Sequence, residues 1–256
     1  MRAARRAGRP WFAGALPRVI AHRGLALEHP ENSIDAFRAA LDAGATHLET
    51  DAHATRDGIA VLAHDRDLSR VTGDPRRVGD LTRAELRGIP RGGDGICTLF
   101  DALQTFPSAR FNLDVKDPRA VPGVIDAIRR AGAEERVLVA SFRTARRRKV
   151  ARALGNVPTS ASSEQIVPAV LGASLHLRPL TRVALRGVDA VQIPRSVLGL
   201  PTTSPTAIAA FHRAGVEVHV WTINDPAEID ELLELGVDGI VSDRCDLVFE
   251  AVKRFR

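Results

Sequence analysis

The chain has no tyrosine, two tryptophans, nine phenylalanines and two cysteines in 256 residues. Each scarcity excludes something. With aromatics at 4%, a core must be built from Val, Ile, Leu and Ala, and an aromatic stacking surface for nucleic-acid bases is missing. Cys97 and Cys245 form neither a metal-type spacing nor a disulfide framework, so a reducing, cytoplasmic setting is expected. No apolar run approaches the ~20 residues of a membrane span. The stretch from Trp11 to Leu16 is too short and Gly-broken for an export signal. Neither a dinucleotide glycine fingerprint nor a phosphate-binding P-loop is present, which weakens the case for a doubly wound sheet.

What is present fits a single α/β barrel: 256 residues, 45% of them apolar. The net charge of +5 comes almost entirely from arginine, because lysine stands only at 116, 149 and 253. The basic clusters Arg2 to Arg9 and Arg143 to Arg152 read as a loose tail and a solvated helix face. Weak contact with an anionic lipid surface is the alternative; nucleic acid is not an expected partner. The expected plan is a basic N-terminal tail over 1–17 and one barrel domain over 18–256, with a small insertion over 66–97.

Glycine punctuates the chain. DAGATHLET, RAGAEERVLVAS, RAGVEVHVWT and LGVDGIVSD each place Gly just after a helix and an apolar strand just beyond. Counting strands at Arg18, Thr46, Arg110, Arg136, Pro158, Asp189, Val216 and Asp238 gives eight, with helices between most of them. Eight such units predict a closed (β/α)8 TIM barrel. Ser33 and Thr98 are expected helix caps, and Thr82-x-x-Glu85 is a capping box inside the insertion. Asp57-Gly58 lies between two extended runs and predicts a β-hairpin after the second strand. Centred there, the hairpin would set residue 64 opposite residue 51.

In such a barrel the C-terminal strand ends form the mouth. His22, Glu49, Asp51, Asp114, Lys116, Ser141, Gln192, Trp221 and Asp243 all fall at or near those ends. Glu49 and Asp51 point to one side of their strand because side chains alternate. Two hard oxygen donors side by side suit Mg²⁺ or Ca²⁺ better than zinc. Lys116 stands out in a chain that uses arginine almost everywhere; a structural ion pair with Asp114 is its alternative role. His29, His47 and His53 read as structural or surface groups.

The segments HRG (22–24), PENS (30–33), ETD (49–51), TRDG (55–58), HD (64–65), LDVK (113–116), WTIND (221–225) and GVDGIVSDR (236–244) together resemble the glycerophosphodiester phosphodiesterase family. The resemblance spans nearly the whole barrel, in order. It implies a metal-dependent TIM barrel that hydrolyses glycerophosphodiesters to sn-glycerol 3-phosphate and an alcohol. By position, His22 and His64 resemble the acid/base pair, and Glu49, Asp51 and Asp114 the ligands of one divalent cation. Arg23 and Lys116 resemble the groups facing phosphate, Trp221 the aromatic beside the glycerol, and Glu31 a supporting carboxylate. One position departs: the family's third metal carboxylate is usually Glu, here Asp114. A lysophospholipase D acting on lipid phosphodiesters and a non-catalytic phosphodiester-binding barrel are the alternatives. Which histidine is acid and which base stays open, as do a cyclic intermediate against direct water attack, the alcohol moiety and the oligomeric state.

Overall fold

The computed structural model describes residues 8–89, 95–155 and 157–255. The first half of the barrel begins with β1 (Arg18–Ala21), α1 (Ile34–Asp42), β2 (His47–Ala54) and the hairpin partner β3 (Ala60–Leu62). The insertion follows as β4 (Asp67–Leu68), α2 (Ser69–Thr72), β5 (Asp74–Arg77) and α3 (Arg83–Arg87). Then come α4 (Leu99–Thr105), β6 (Phe111–Val115), α5 (Ala120–Arg130), β7 (Val137–Ala140) and α6 (Thr144–Leu154). The second half carries α7 (Ser163–Ser174), α8 (Arg178–Ala184), β8 (Ala190–Ile193) and a small ribbon of β9 (Ser196–Val197) and β10 (Leu200–Pro201). It ends with α9 (Pro205–Ala214), β11 (Glu217–Val220), α10 (Pro226–Glu234), β12 (Gly239–Ser242) and α11 (Cys245–Phe255).

Seven of these strands pair side by side in the order β7-β6-β2-β1-β12-β11-β8. Their mutual pairings are all parallel. The eighth position is held by Thr159 and Ser160, which bridge to Val139 on one side and Ala190 on the other. These two bridges close the sheet into the expected TIM barrel. The strand residues are buried on both faces because helices cover the outside. The core is aliphatic, as the composition demands, with Phe37 and Phe111 meeting edge to face at 6.0 Å between centroids.

The capping signals hold. Ser33 accepts from Ala36 N–H, Thr98 from Asp101 N–H, and Thr82 with Glu85 forms the full capping box. The insertion builds its own apolar cluster from Leu68, Val78, Leu81, Leu86 and Ile96 against Val61; its residues 90–94 lie outside the described residues. Two helices, α7 and α8, fill the stretch between Ala161 and Asp189. Pro168 inside α7 interrupts the local helix signal there.

Three expectations change. The Arg143 to Arg152 face of α6 is not solvated throughout, because Arg147 is buried and donates to Ser162 Oγ at 3.2 Å and Gln165 Oε1 at 2.8 Å. The hairpin pairs Ala52 with Leu62, His53 with Val61 and Ala54 with Ala60, so residue 51 faces residue 63 rather than 64. The cause is a three-residue loop, Arg56-Asp57-Gly58, in place of a two-residue turn. Thr55 N–H donates to Ile59 O at 3.0 Å and Gly58 takes φ +83°, the left-handed position such loops require. The N-terminal tail is also not loose throughout. Residues 1–7 of the Arg2 to Arg9 cluster lie outside the described residues, but Pro10–Phe12 form a 3₁₀ turn and Trp11 is fully buried. The Trp11 indole N–H donates to Phe111 O at 2.8 Å at the foot of β6, plugging the N-terminal end of the barrel.

Candidate active site

At the opposite end, a cavity of about 350 Å³ is lined by His22, Arg23, Glu49, Asp51, His64, Asp114, Lys116 and Trp221. All eight predicted catalytic, phosphate and metal residues therefore share one space. Glu31 does not line it but reaches it through Arg23, whose Nη1 lies 3.3 Å from Glu31 Oε1.

The loop after β1 explains why His-Arg-Gly stand together. His22 N–H continues the ladder to Ser242 O at 2.9 Å. Arg23 then turns to φ +58°, and its N–H lies 3.1 Å from both the carbonyl and Oε2 of Glu49. Gly24 has φ +87°, and a Cβ there would sit 2.7 Å from the backbone of Ala36. No larger residue fits without moving α1. Asn32, buried and at φ +55°, pins the same loop. Its N–H donates to Arg23 O at 2.8 Å, and its Oδ1 accepts from Thr50 Oγ1 at 2.6 Å.

The acidic side of the cavity follows from register. Asp51 on β2 pairs directly with Asp114 on β6, so two carboxylates meet on one face. Lys116 Nζ sits between them, 3.0 Å from Asp51 Oδ1 and 2.7 Å from Asp114 Oδ2. The predicted alternative role of Lys116, an ion pair with Asp114, is thus also present. Burial raises the Asp114 carboxyl above its ordinary range despite that lysine. Glu49 is pushed well above its own range, first by burial and then by the Asp51 charge. Burial works against the Lys116 ammonium, but Asp51 and Asp114 outweigh it and hold the proton on.

Among the described residues, no three His, Cys, Asp or Glu side chains are grouped as a metal-ion site. Individual atoms nevertheless suit a cation. Asp51 Oδ2 and Asp114 Oδ1 are buried without a hydrogen-bond partner. Arg23 Nε lies 3.3 Å from Asp51 Oδ2, yet neither atom makes a hydrogen bond. Unmatched hard oxygens beside a carboxyl driven toward its neutral form are a donor set that a hard divalent ion would satisfy.

Each histidine has its own carboxylate. His22 Nδ1 is 2.6 Å from Asp243 Oδ1, and Asp243 Oδ2 accepts from Asn224 Nδ2 at 2.8 Å. The hydrogen bond to His22 is the main cause that keeps Asp243 below the usual carboxylate range. His64 Nδ1 is 2.8 Å from Asp65 Oδ1. With Nδ1 engaged in both rings, Nε2 is the nitrogen of each that could exchange a proton, and that of His22 lies 4.0 Å from Glu49 Oε2. Asp243 sits at a strand end flagged by the sequence, but its partnership with His22, 221 positions away, was not legible. Asp65 and Asn224 lie inside the HD and WTIND segments, where the motif was the available signal. Phe142 carried none: its ring stands 5.4 Å from Lys116 Nζ.

The sequence profile of the Glycerophosphoryl diester phosphodiesterase family matches residues 22–247. The chain is 38% identical over 233 residues to Probable glycerophosphodiester phosphodiesterase 2 of Mycobacterium tuberculosis, covering 90% of this chain and 88% of that protein. It is 27% identical over 254 residues to a glycerophosphodiester phosphodiesterase of Caldanaerobacter subterraneus, covering 92% and 98%. Among solved structures, a phosphodiesterase of Oleispira antarctica in complex with the product sn-glycerol-3-phosphate superposes with a TM-score of 0.75 at 24% identity, covering 93% and 97%.

Proposed function

The chain belongs to the glycerophosphoryl diester phosphodiesterase family, and on that premise we propose that it hydrolyses glycerophosphodiesters to sn-glycerol 3-phosphate and an alcohol by paired histidine acid–base catalysis. The observation that carries this is the pairing of His22 with Asp243 and of His64 with Asp65 around one cavity that also holds Arg23 and Lys116. A barrel that only bound phosphodiesters would need the cations and not two oriented imidazoles.

Arg23 and Lys116 hold and orient the phosphate. One imidazole takes the proton of the attacking oxygen as that oxygen bonds to phosphorus. The phosphorus–oxygen bond to the alcohol breaks, and the other imidazole, protonated beforehand, gives its proton to the departing oxygen. Glu49 and Asp51, with Asp114 sharing its carboxylate with Lys116, would hold one Mg²⁺ or Ca²⁺. When bound, that ion supplies positive charge to the phosphoryl oxygens. The Asp65 and Asp243 carboxylates keep each ring in its working tautomer.

One observation favours a second reading. Phe142, Ile166, Val167, Val197 and Pro194 form an apolar side of the cavity, suited to the acyl chain of a lysophospholipid. Glycerophosphocholine and lysophosphatidylcholine, each supplied with Mg²⁺ and in a parallel series with Ca²⁺, separate the two. Glycerol 3-phosphate release from the first is expected. A kcat/KM at least about tenfold higher on the lipid (~1.4 kcal/mol) would replace the leading reading with lysophospholipase D activity. No turnover of any phosphodiester would sink both.

A further inference from the structure

Arg70 enters the mouth from outside the barrel, on α2 of the insertion, and the hydrolysis described above makes no use of it. Its guanidinium nevertheless joins the two sides of the site. Nε lies 2.7 Å from Asp65 Oδ2, whose other oxygen holds His64 Nδ1 at 2.8 Å. Nη1 and Nη2 grip Glu31 at 2.8 and 2.7 Å, and the same carboxylate receives Arg23 Nη1 at 3.3 and 3.4 Å. One planar group thus runs from a proton-transfer histidine to a phosphate-facing arginine.

An exposed ion pair contributes only about 0–1 kcal/mol to stability, and Arg70 is 49% exposed. Stability is therefore not what this arrangement would be for. Three short charge-assisted bonds from one rigid fork fix geometry more than they add energy. On the Asp65 side they commit Oδ2, leaving Oδ1 for the imidazole, and a carboxylate oxygen opposite Nδ1 selects the tautomer with its proton on Nδ1. On the Glu31 side they hold the carboxylate against Arg23. Val71, next to Arg70 on α2, packs against the insertion's cluster of Leu68, Val78 and Leu86, which also takes in Val61 of the barrel hairpin, so α2 is tied to the barrel beside the mouth.

We propose that Arg70 is a positioning residue for phosphodiester hydrolysis: through Asp65 and Glu31 it presents His64 Nε2 and the Arg23 guanidinium to the same phosphate. This rests on the reading of the preceding subsection. Lysine is not equivalent, because a compact ammonium lacks the planar fork that bonds Asp65 through Nε while gripping both oxygens of Glu31 through Nη1 and Nη2.

The test compares the full chain with Arg70→Gln, Arg70→Lys and Arg76→Ala. Arg76 lies on β5 of the same insertion and pairs with Asp74 there, away from Asp65 and Glu31, so its loss should leave turnover unchanged. Two readouts are taken: steady-state kinetics on glycerophosphocholine, and the ¹⁵N spectrum of the His64 ring in the substrate-free protein. For Arg70→Gln, kcat should fall about 10- to 100-fold, the scale of a lost outer partner, with KM changing by less. The His64 ring should pass from one tautomer to a mixture. Arg70→Lys should recover only a small part of either signal. Turnover within about twofold of wild type, an unchanged tautomer in Arg70→Gln, or an equal loss in Arg76→Ala would each overturn the proposal. If the wild-type chain turns over no phosphodiester, the functional reading fails, while the tautomer comparison still judges Arg70.

Discussion

The two ends of the barrel are built from the same residue types and solve opposite problems. At the foot, Arg18 grips Glu217 with bonds of 2.7 and 2.8 Å, and His219 Nε2 adds a third contact to Glu217 at 3.1 Å. His47 Nε2 meets Trp11 O at 2.9 Å, and the Arg18 guanidinium lies 5.3 Å from the Trp11 ring centre. The Arg18 and Glu217 charges there are paired beneath the indole, and His219 Nδ1 is the buried polar atom of that cluster left without a hydrogen bond. At the mouth, the Arg23, Asp51 and Asp114 side chains keep buried atoms without hydrogen bonds, and the carboxylates crowd one another. A matched cluster stabilises; an unmatched one is poised to bind something charged. Glu217-x-His219 and Glu49-x-Asp51 look alike as strand pairs. Only their place along the strand, near the start of β11 or toward the mouth on β2, separates structure from chemistry.

Removing divalent metal should break the comparison most visibly. Excess chelator is expected to abolish turnover while leaving the thermal transition nearly in place, since the foot needs no ion. Full activity in protein shown metal-free by elemental analysis would remove the metal from the mouth.

Next in size, His22→Ala and His64→Ala should each lower kcat by about 10²- to 10⁴-fold. Both should still fold, whereas His47→Ala at the foot should act on stability alone. A folded His22 or His64 variant with near-normal turnover would disqualify that histidine as acid or base.

Trp11→Ala should do the reverse: about 3–5 kcal/mol of stability lost, measured by denaturant unfolding, with kcat per folded molecule preserved. A large fall in kcat at full folding would show that foot and mouth are coupled.

The foot should also show itself through pH. Burial pushes the Glu217 carboxyl up, but the bonds from Arg18 and His219 prevail and hold it down to about 2. A depressed carboxyl stabilises the fold fully above its unfolded value of 4.5, and that stability drains as pH falls toward 2. The shift corresponds to ~3 kcal/mol. Unfolding free energies measured between pH 5 and about 2 should fall steeply in wild type and less steeply in Glu217→Gln; parallel slopes would refute the linkage.

The smallest effect sharpens the mouth. Asp114→Glu should lower the metal concentration for half-maximal activity a few-fold, on the order of 1 kcal/mol or less, because a longer carboxylate reaches past Lys116. A higher requirement in the variant would show that the site has closed around aspartate.

Much of this was written locally. The apolar run of β1, the cap residues Ser33, Thr98 and Thr82, and the glycine stops are set by neighbours within a few residues, and periodicity reports them directly. Because side chains alternate and strand ends converge in a closed barrel, the same local signals brought His22, Glu49, Asp51, His64 and Asp114 to one mouth. Other features depended on partners the chain cannot announce. The hairpin register turned on whether Thr55 would close a three-residue loop. Trp11 became a plug only because the feet of β1, β2, β6 and β11 surround it. The brief strand at Thr159 and Ser160 exists because Val139 and Ala190 stand on either side.

The sequence by itself determined the α/β alternation, the family and the set of residues at the mouth, since these follow from residue type, spacing and short-range sterics. Tertiary structure alone decided which charges are matched. Asp243 on His22, Arg70 on Asp65 and Glu31, and Glu217 on Arg18 are pairings across 221, 5, 39 and 199 positions. Whether a buried charge is neutralised or left wanting depends on atoms a few ångströms away in space, and three-dimensional packing selects those atoms.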